Sequence, residues 1–202
     1  MRIGIYGGTF DPVHLGHLIV AEQARVELAL QQVLFVLAPN PPHKPETTIL
    51  PAVHRLHMLK RALAGHPHFM VSTVESDRPG VSYTVDTLRY FHRQPELAAA
   101  EFFLIIGADS FLELKNWREP QEIIKLTRLA VYPRPNLDLR QIAPEFLQAA
   151  HLLRGPQIEI SATDIRQRCS SGLSIRYLVP EEVRNYILEK QLYQNSEAPP
   201  GV

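Results

Sequence analysis

The segment Gly7-Gly8-Thr9-Phe10-Asp11-Pro12-Val13-His14-Leu15-Gly16-His17 gathers residue types that can do chemistry. Gly7 and Gly8 let a backbone come close to a phosphate. His14 and His17, three residues apart near a helix start, lie on one face and project toward one point. Each imidazole can donate a hydrogen bond to a phosphate oxygen, and more strongly when protonated. Gly16 between them leaves room for the ligand. The apolar run Ile3-Gly4-Ile5-Tyr6 stands just before, and a glycine-rich turn from strand to helix aims helix N-terminal N–H groups at an anion. The glycine spacing is not the dinucleotide fingerprint, and no Gly-Lys-Ser/Thr follows as in a P-loop. A histidine pair on a helix is by itself more often incidental, or half of a zinc site. Zinc asks for a third and fourth ligand, and the only cysteine, Cys169, is remote in sequence with no helpful spacing. Together with the loop and its strand, the pair reads as a phosphate site.

The elements that must carry these residues follow from periodicity. Short continuous apolar runs recur at Ile3–Tyr6, Val33–Leu37, Phe69–Val74, Phe102–Ile106 and Leu129–Tyr132. That is the pattern of strands buried on both faces of a parallel sheet. Helix-length amphipathic segments lie between them: Leu15–Leu30, striped by Val20, Ala21, Ala24 and Leu28, then Pro51–Ala64, Tyr83–Arg93 and Glu119–Leu126. The alternation predicts an α/β fold, a doubly wound, Rossmann-like parallel sheet with right-handed crossovers. After residue 155 a short strand is expected at Ile158–Ile160, then helices at Thr163–Ser171 and Pro180–Lys190. The expected layout is one domain over residues 1–193, with a small C-terminal helical extension from about 160. Residues 194–202 are polar and proline-rich and are expected to be disordered.

Composition narrows the partners. The 202 residues, 22.9 kDa, carry 21 basic and 21 acidic side chains, a formal net charge of 0. No global positive field would draw in nucleic acid or a membrane surface. One cysteine rules out an internal disulfide and fits a reducing compartment. Met1-Arg2-Ile3 runs straight into a strand pattern rather than a signal peptide, and no apolar run reaches the ~18 residues of a membrane span. A cytoplasmic location is expected, and the sequence is compatible with a homo-oligomer.

The glycine–histidine segment resembles the phosphate-binding signature of the nucleotidyltransferase superfamily. Ile160-Ser161-Ala162-Thr163-Asp164-Ile165-Arg166, about 145 residues later, resembles that superfamily's second motif, which opens a helix on the triphosphate. Ala162 departs from the usual serine. Read physically, Ser161 or Thr163 is a good N-cap, and the helix N–H groups with the Arg166 guanidinium make an anion site. Four further stretches narrow the resemblance. Asn40-Pro41-Pro42-His43-Lys44 is a rigid loop after the second strand. Glu75 to Thr84 contains Ser82-Tyr83-Thr84. Ile106-Gly107-Ala108-Asp109 follows the fourth strand, and Trp117 is the only tryptophan. Asp109 could bind ribose hydroxyls or cap a helix, and a lone tryptophan is more often core. Together with the ending Ser174 to Pro180, the chain is identified as a member of the bacterial nicotinate-nucleotide adenylyltransferase family over residues 1 to about 193.

That resemblance implies adenylyl transfer from ATP to nicotinate mononucleotide. It implies a triphosphate held by His14, His17, Ser161, Thr163 and Arg166, with Gly8, Thr9 and Phe10 lining the reaction junction. Gly107 and Asp109 would bind the adenosine ribose, with Arg134 near the nucleotide. Lys44 would steady the mononucleotide phosphate beside Gly7 and Thr9. Tyr83 and Thr84 would meet the nicotinate carboxylate through backbone N–H groups, and Trp117 would stack on the pyridine ring. No carboxylate cluster offers a metal cage, so Mg2+ is expected to arrive with ATP. Two alternatives stay open: an adenylyltransferase for nicotinamide mononucleotide or phosphopantetheine, and a nucleotide-binding regulator without turnover.

Overall fold

A computed structural model describes residues 1–39, 49–134 and 138–194. Six strands form one sheet: β1 (Arg2–Gly8), β2 (Gln32–Leu37), β3 (Phe69–Ser72), β4 (Glu101–Gly107), β5 (Arg128–Tyr132) and β6 (Ala150–Leu152). All are parallel, in the order β3-β2-β1-β4-β5-β6. The chain winds outward from β1 to β3, crosses back to β4 beside β1, and winds out the other way. The switch therefore falls between β1 and β4, and in such sheets the crevice outside the carboxyl ends at that point is where ligands bind. The loop that follows β1, residues 9–14, and the direct junction of β4 with the helix that follows it at Gly107–Ala108 open there.

The strands alternate faces, and β4 shows why both faces must be covered. Phe103 and Ile105 join one buried cluster with Ala21 and Ala24 of α1 (Leu15–Glu27), Met58 and Leu59 of α2 (Ala52–Leu63), Ile165 of α7 (Ala162–Ser170), and Val183 and Ile187 of α8 (Glu181–Glu189). Phe102, Leu104 and Ile106 join the other. Its helical members are Val85 and Leu88 of α3 (Thr84–His92), Phe111 of α4 (Ala108–Glu113), Ile123 of α5 (Pro120–Leu126) and Phe146 of α6 (Pro144–Gln148). Strands buried on both sides have no polar face to show, hence the continuous apolar runs.

Two expectations about elements need correcting. Ile158–Ile160 is not a strand; the sixth strand is Ala150–Leu152, which pairs with β5. Pro156 has no N–H for a ladder, and Ile158 instead turns toward α1, where its Cγ2 would lie 3.6 Å from a Cβ at Gly16. The first helix stops at Glu27 rather than Leu30, because Ala29 takes a left-handed φ of 52°. The short helices α4 and α6 carry too few turns to be read from periodicity. Of residues 194–202, expected to be disordered, 195–202 lie outside the described residues.

Candidate active site

His14 is the N-cap of α1, with extended backbone at φ −141°. Its N–H donates to Nδ1 of His17 at 3.2 Å. In a neutral His17 that acceptor role leaves the proton on Nε2, the outward donor. The two rings stack with centroids 3.6 Å apart. His17 is also walled by Phe10, 5.1 Å away edge-on, and by Tyr6 at 6.1 Å. Burial pulls the His14 pKa down to about 4. Burial, then the neighbouring His14, holds His17 well below the usual histidine range. Both imidazoles are therefore neutral near pH 7 when no phosphate is bound, not charged as the strongest form of donor would be. The His14 Nδ1 is buried with no hydrogen-bond partner among the described residues, an orphan of the kind that marks working sites.

The glycines divide their labour differently from the expectation. A Cβ at Gly16 would lie 3.0 and 3.1 Å from Nδ1 and Cε1 of the His14 ring, so Gly16 makes room for that imidazole rather than for a ligand. A Cβ at Gly8 would meet the Phe10 ring at 2.9 Å, whereas one at Gly7 would meet nothing within 4 Å. Gly7 is thus the open approach, and Gly8 allows the turn that buries Phe10. Phe10 sits at φ 47° with its side chain 2% exposed. Thr9, half-buried between them, offers its carbonyl to Arg55 at 2.8 Å.

The second motif arrives beside the first. Ser161 caps α7, its Oγ accepting from the Asp164 N–H at 3.0 Å; Thr163 is not the cap. Arg166 donates from Nη1 to the Asp11 carbonyl at 2.8 Å and from Nη2 to the Thr163 hydroxyl at 3.2 Å. Residues 155 positions apart therefore share one hydrogen bond at the helix starts of α1 and α7. The Leu178 carbonyl closes the same end by accepting from the Leu15 N–H at 3.0 Å.

At the end of β4, Gly107 is the N-cap of α4, so Asp109 stands in the first turn and is not the cap. Arg134, after β5, pairs its Nη1 with Asp109 Oδ2 at 2.8 Å, both largely exposed. Tyr83 caps α3 with no side-chain hydrogen bond to the helix start, and Thr84 is the first helical residue. Behind them Glu75 is buried and accepts from the Thr87 hydroxyl at 2.7 Å. The Arg118 guanidinium lies 4.6 Å over the Tyr83 ring. Trp117 is half-buried and packs partly against the second cluster, with the rest of its surface open to solvent. Lys44 lies outside the described residues. Among the described residues no group of three His, Cys, Asp or Glu side chains is placed to hold a metal ion.

Sequence reasoning missed Arg55. It is 1% exposed and donates to four carbonyls: Leu50 at 2.7 Å, Thr9 and Ala38 at 2.8 Å, and Pro39 at 2.6 Å. It ties the loop after β1 to the loop after β2. An arginine in the middle of an amphipathic helix reads as solvated; only its position on the apolar face of α2 hinted otherwise.

A sheet with this switch point, a glycine loop with paired histidines and an arginine-bearing helix define a cytidylyltransferase-like protein, and the family model of that description matches residues 5–168. The "Probable nicotinate-nucleotide adenylyltransferase" of Desulfitobacterium hafniense is 46% identical over 201 residues, 96% of each chain. That of Thermomicrobium roseum is 46% identical over 202 residues, covering 98% of this chain and 94% of the relative. A solved structure of the Plasmodium falciparum nicotinic acid mononucleotide adenylyltransferase, complexed with NaAD, superposes with a TM-score of 0.79 at 18% identity, over 95% of this chain and 97% of that one. The chain belongs to the family of bacterial nicotinate-nucleotide adenylyltransferases, which are nucleotidyltransferase enzymes. No described helix is long and apolar enough to cross a membrane.

Proposed function

We propose that this site transfers the adenylyl group of ATP to nicotinate mononucleotide, giving nicotinate adenine dinucleotide and pyrophosphate, a step of NAD biosynthesis. The observation that supports the mechanism is the Arg166–Asp11 hydrogen bond of 2.8 Å, which brings together the two motifs proposed to hold the triphosphate. The mononucleotide phosphate attacks the α-phosphorus in line. One P–O bond forms as the bond to the bridging oxygen breaks, and pyrophosphate carries the charge away. The nucleophile is already ionised near neutral pH, so the residues position and stabilise charge rather than abstract a proton.

His17 donates from Nε2 to the α-phosphate, and His14 stands beside it on the triphosphate. The arriving phosphate charge raises both imidazole pKa values, and His17, whose Nδ1 accepts the His14 N–H, keeps Nε2 as its donor. Ser161, Thr163 and Arg166 hold the β and γ groups as pyrophosphate departs. Gly8, Thr9 and Phe10 line the junction, and Gly107, Asp109 and Arg134 meet the adenosine. Lys44, Gly7 and Thr9 steady the acceptor phosphate. The N–H groups at Tyr83 and Thr84 receive the nicotinate carboxylate, and Trp117 stacks on the ring. Magnesium enters as part of the MgATP substrate with most of its waters. The cytoplasm supplies both substrates, and its reducing chemistry suits a lone cysteine.

Pyrophosphate release from MgATP, compared across nicotinate mononucleotide, nicotinamide mononucleotide and phosphopantetheine, tests the reading. Strong preference for the nicotinate form is expected. Equal rates with the amide would remove the carboxylate contacts from Tyr83 and Thr84, and turnover only with phosphopantetheine would replace the acceptor altogether.

A further inference from the structure

The end of the described chain reaches back into its first loop. Tyr193, just past α8, donates its phenol hydrogen to Oδ1 of Asp11 at 2.7 Å. Asp11 is 4% exposed. Its Oδ2 accepts from the Leu50 N–H at 3.4 Å, and its carbonyl oxygen accepts from Nη1 of Arg166 at 2.8 Å. One residue of the glycine–histidine loop is thus held by its side chain from the C-terminal segment while its backbone aims the arginine. Burial and the Asp11 carboxyl both push the phenol pKa up, so the hydroxyl stays a donor at any working pH.

The hydroxyl is not needed to hold α8 in place. Val183, Tyr186 and Ile187 bury that helix, and the Tyr186 hydroxyl bonds His54 Nδ1 of α2 at 2.9 Å. What the Tyr193 hydroxyl does alone is satisfy a buried carboxyl oxygen. Without it that oxygen must find another donor. The Arg166 guanidinium, already on the carbonyl of the same residue, is at hand, and a guanidinium drawn onto a carboxyl is lost to a phosphate.

We propose that Tyr193 is a positioning residue of adenylyl transfer, which keeps the Asp11 carboxyl occupied and so leaves the Arg166 guanidinium aimed at the departing phosphates. The inference rests on the reading of Arg166 as a triphosphate ligand. It does not depend on which acceptor the enzyme prefers.

Tyr193→Phe keeps the ring and removes only the hydroxyl. With MgATP and nicotinate mononucleotide, kcat is expected to fall about tenfold and KM for ATP to rise about threefold, while KM for the mononucleotide holds. The melting temperature, measured alongside, should move by only a few degrees. Calorimetric ATP affinity gives a readout without turnover: the substitution should weaken ATP in the wild-type background and have no further effect in Arg166→Ala. A kcat within twofold of wild type would overturn the proposal. So would an equal loss of ATP affinity in both backgrounds, which is what a merely structural tyrosine produces. Failure of the acceptor assignment looks different, because the unaltered enzyme would then be slow with nicotinate mononucleotide while the Tyr193–Arg166 coupling on ATP persisted.

Discussion

His17 Nε2 is the donor that ring leaves for the proposed chemistry, because its Nδ1 is committed to the His14 N–H. His17→Ala should lower kcat by about 100- to 1,000-fold, the usual cost of one preorganised donor, with an unchanged circular dichroism spectrum. Near-normal kcat in the folded variant would remove the phosphate role. His14 ties the same site to stability. Its pKa falls from 6.5 to about 4 on folding, so between those values the unfolded chain binds the extra proton. Stability therefore rises with pH in that window: the contribution is complete above pH 6.5 and is lost as pH falls toward 4, at a cost of roughly 3 kcal/mol. Urea unfolding of wild type and His14→Asn at pH 7.5 and 4.5 checks this. The variant should show the shallower decline.

At the scale of elements, the site depends on how helix starts are finished. α7 closes its own start with Ser161, α1 borrows the Leu178 carbonyl, and α3 has no side-chain cap at Tyr83. An uncapped start leaves N–H groups for an acceptor carboxylate. The start of α1 also depends on Gly16, since any Cβ there meets the His14 ring at 3.0 Å. Gly16→Ala should displace that ring by a few tenths of an ångström and lower kcat about tenfold, while the alanine itself suits a helix. Steady-state kinetics beside a thermal melt separates the two effects, and a variant with unchanged kcat would show that the ring has space to yield.

Across the whole molecule, Arg55 and Asp11 bind segments that the chain order keeps apart. Arg55 is a buried cation satisfied by four carbonyls and held electrostatically by Asp11. Arg55→Met fills similar volume but leaves those carbonyls without their donor. It should cost about 3–5 kcal/mol in urea unfolding and reduce turnover in the surviving folded fraction. A loss below 1 kcal/mol on that scale would mean water replaces the guanidinium with little penalty.

The five continuous apolar runs, the helices between them and both motifs were legible in the sequence because each is a local pattern: a period, a cap or a spacing. A run such as Phe102–Ile106 reads as a strand covered on both sides, and the helical stretch after residue 160 offers Ser161 or Thr163 as its cap, of which the structure uses Ser161. Three-residue β6 and the irregular course of residues 158–160 were not legible, since so short a segment is assigned by what it packs against. Nor could local pattern show that Gly16 serves the His14 ring, that burial strips the histidines of charge, or that Arg55 is buried. Fold class, the order of the motifs and the family to which they belong are all carried by the chain read alone. The meeting of Asp11 with Arg166 and Tyr193, and of Arg55 with the Thr9 carbonyl, comes from the folded chain alone, because hydrogen bonds between residues up to 182 positions apart depend on how the sheet closes its loops together.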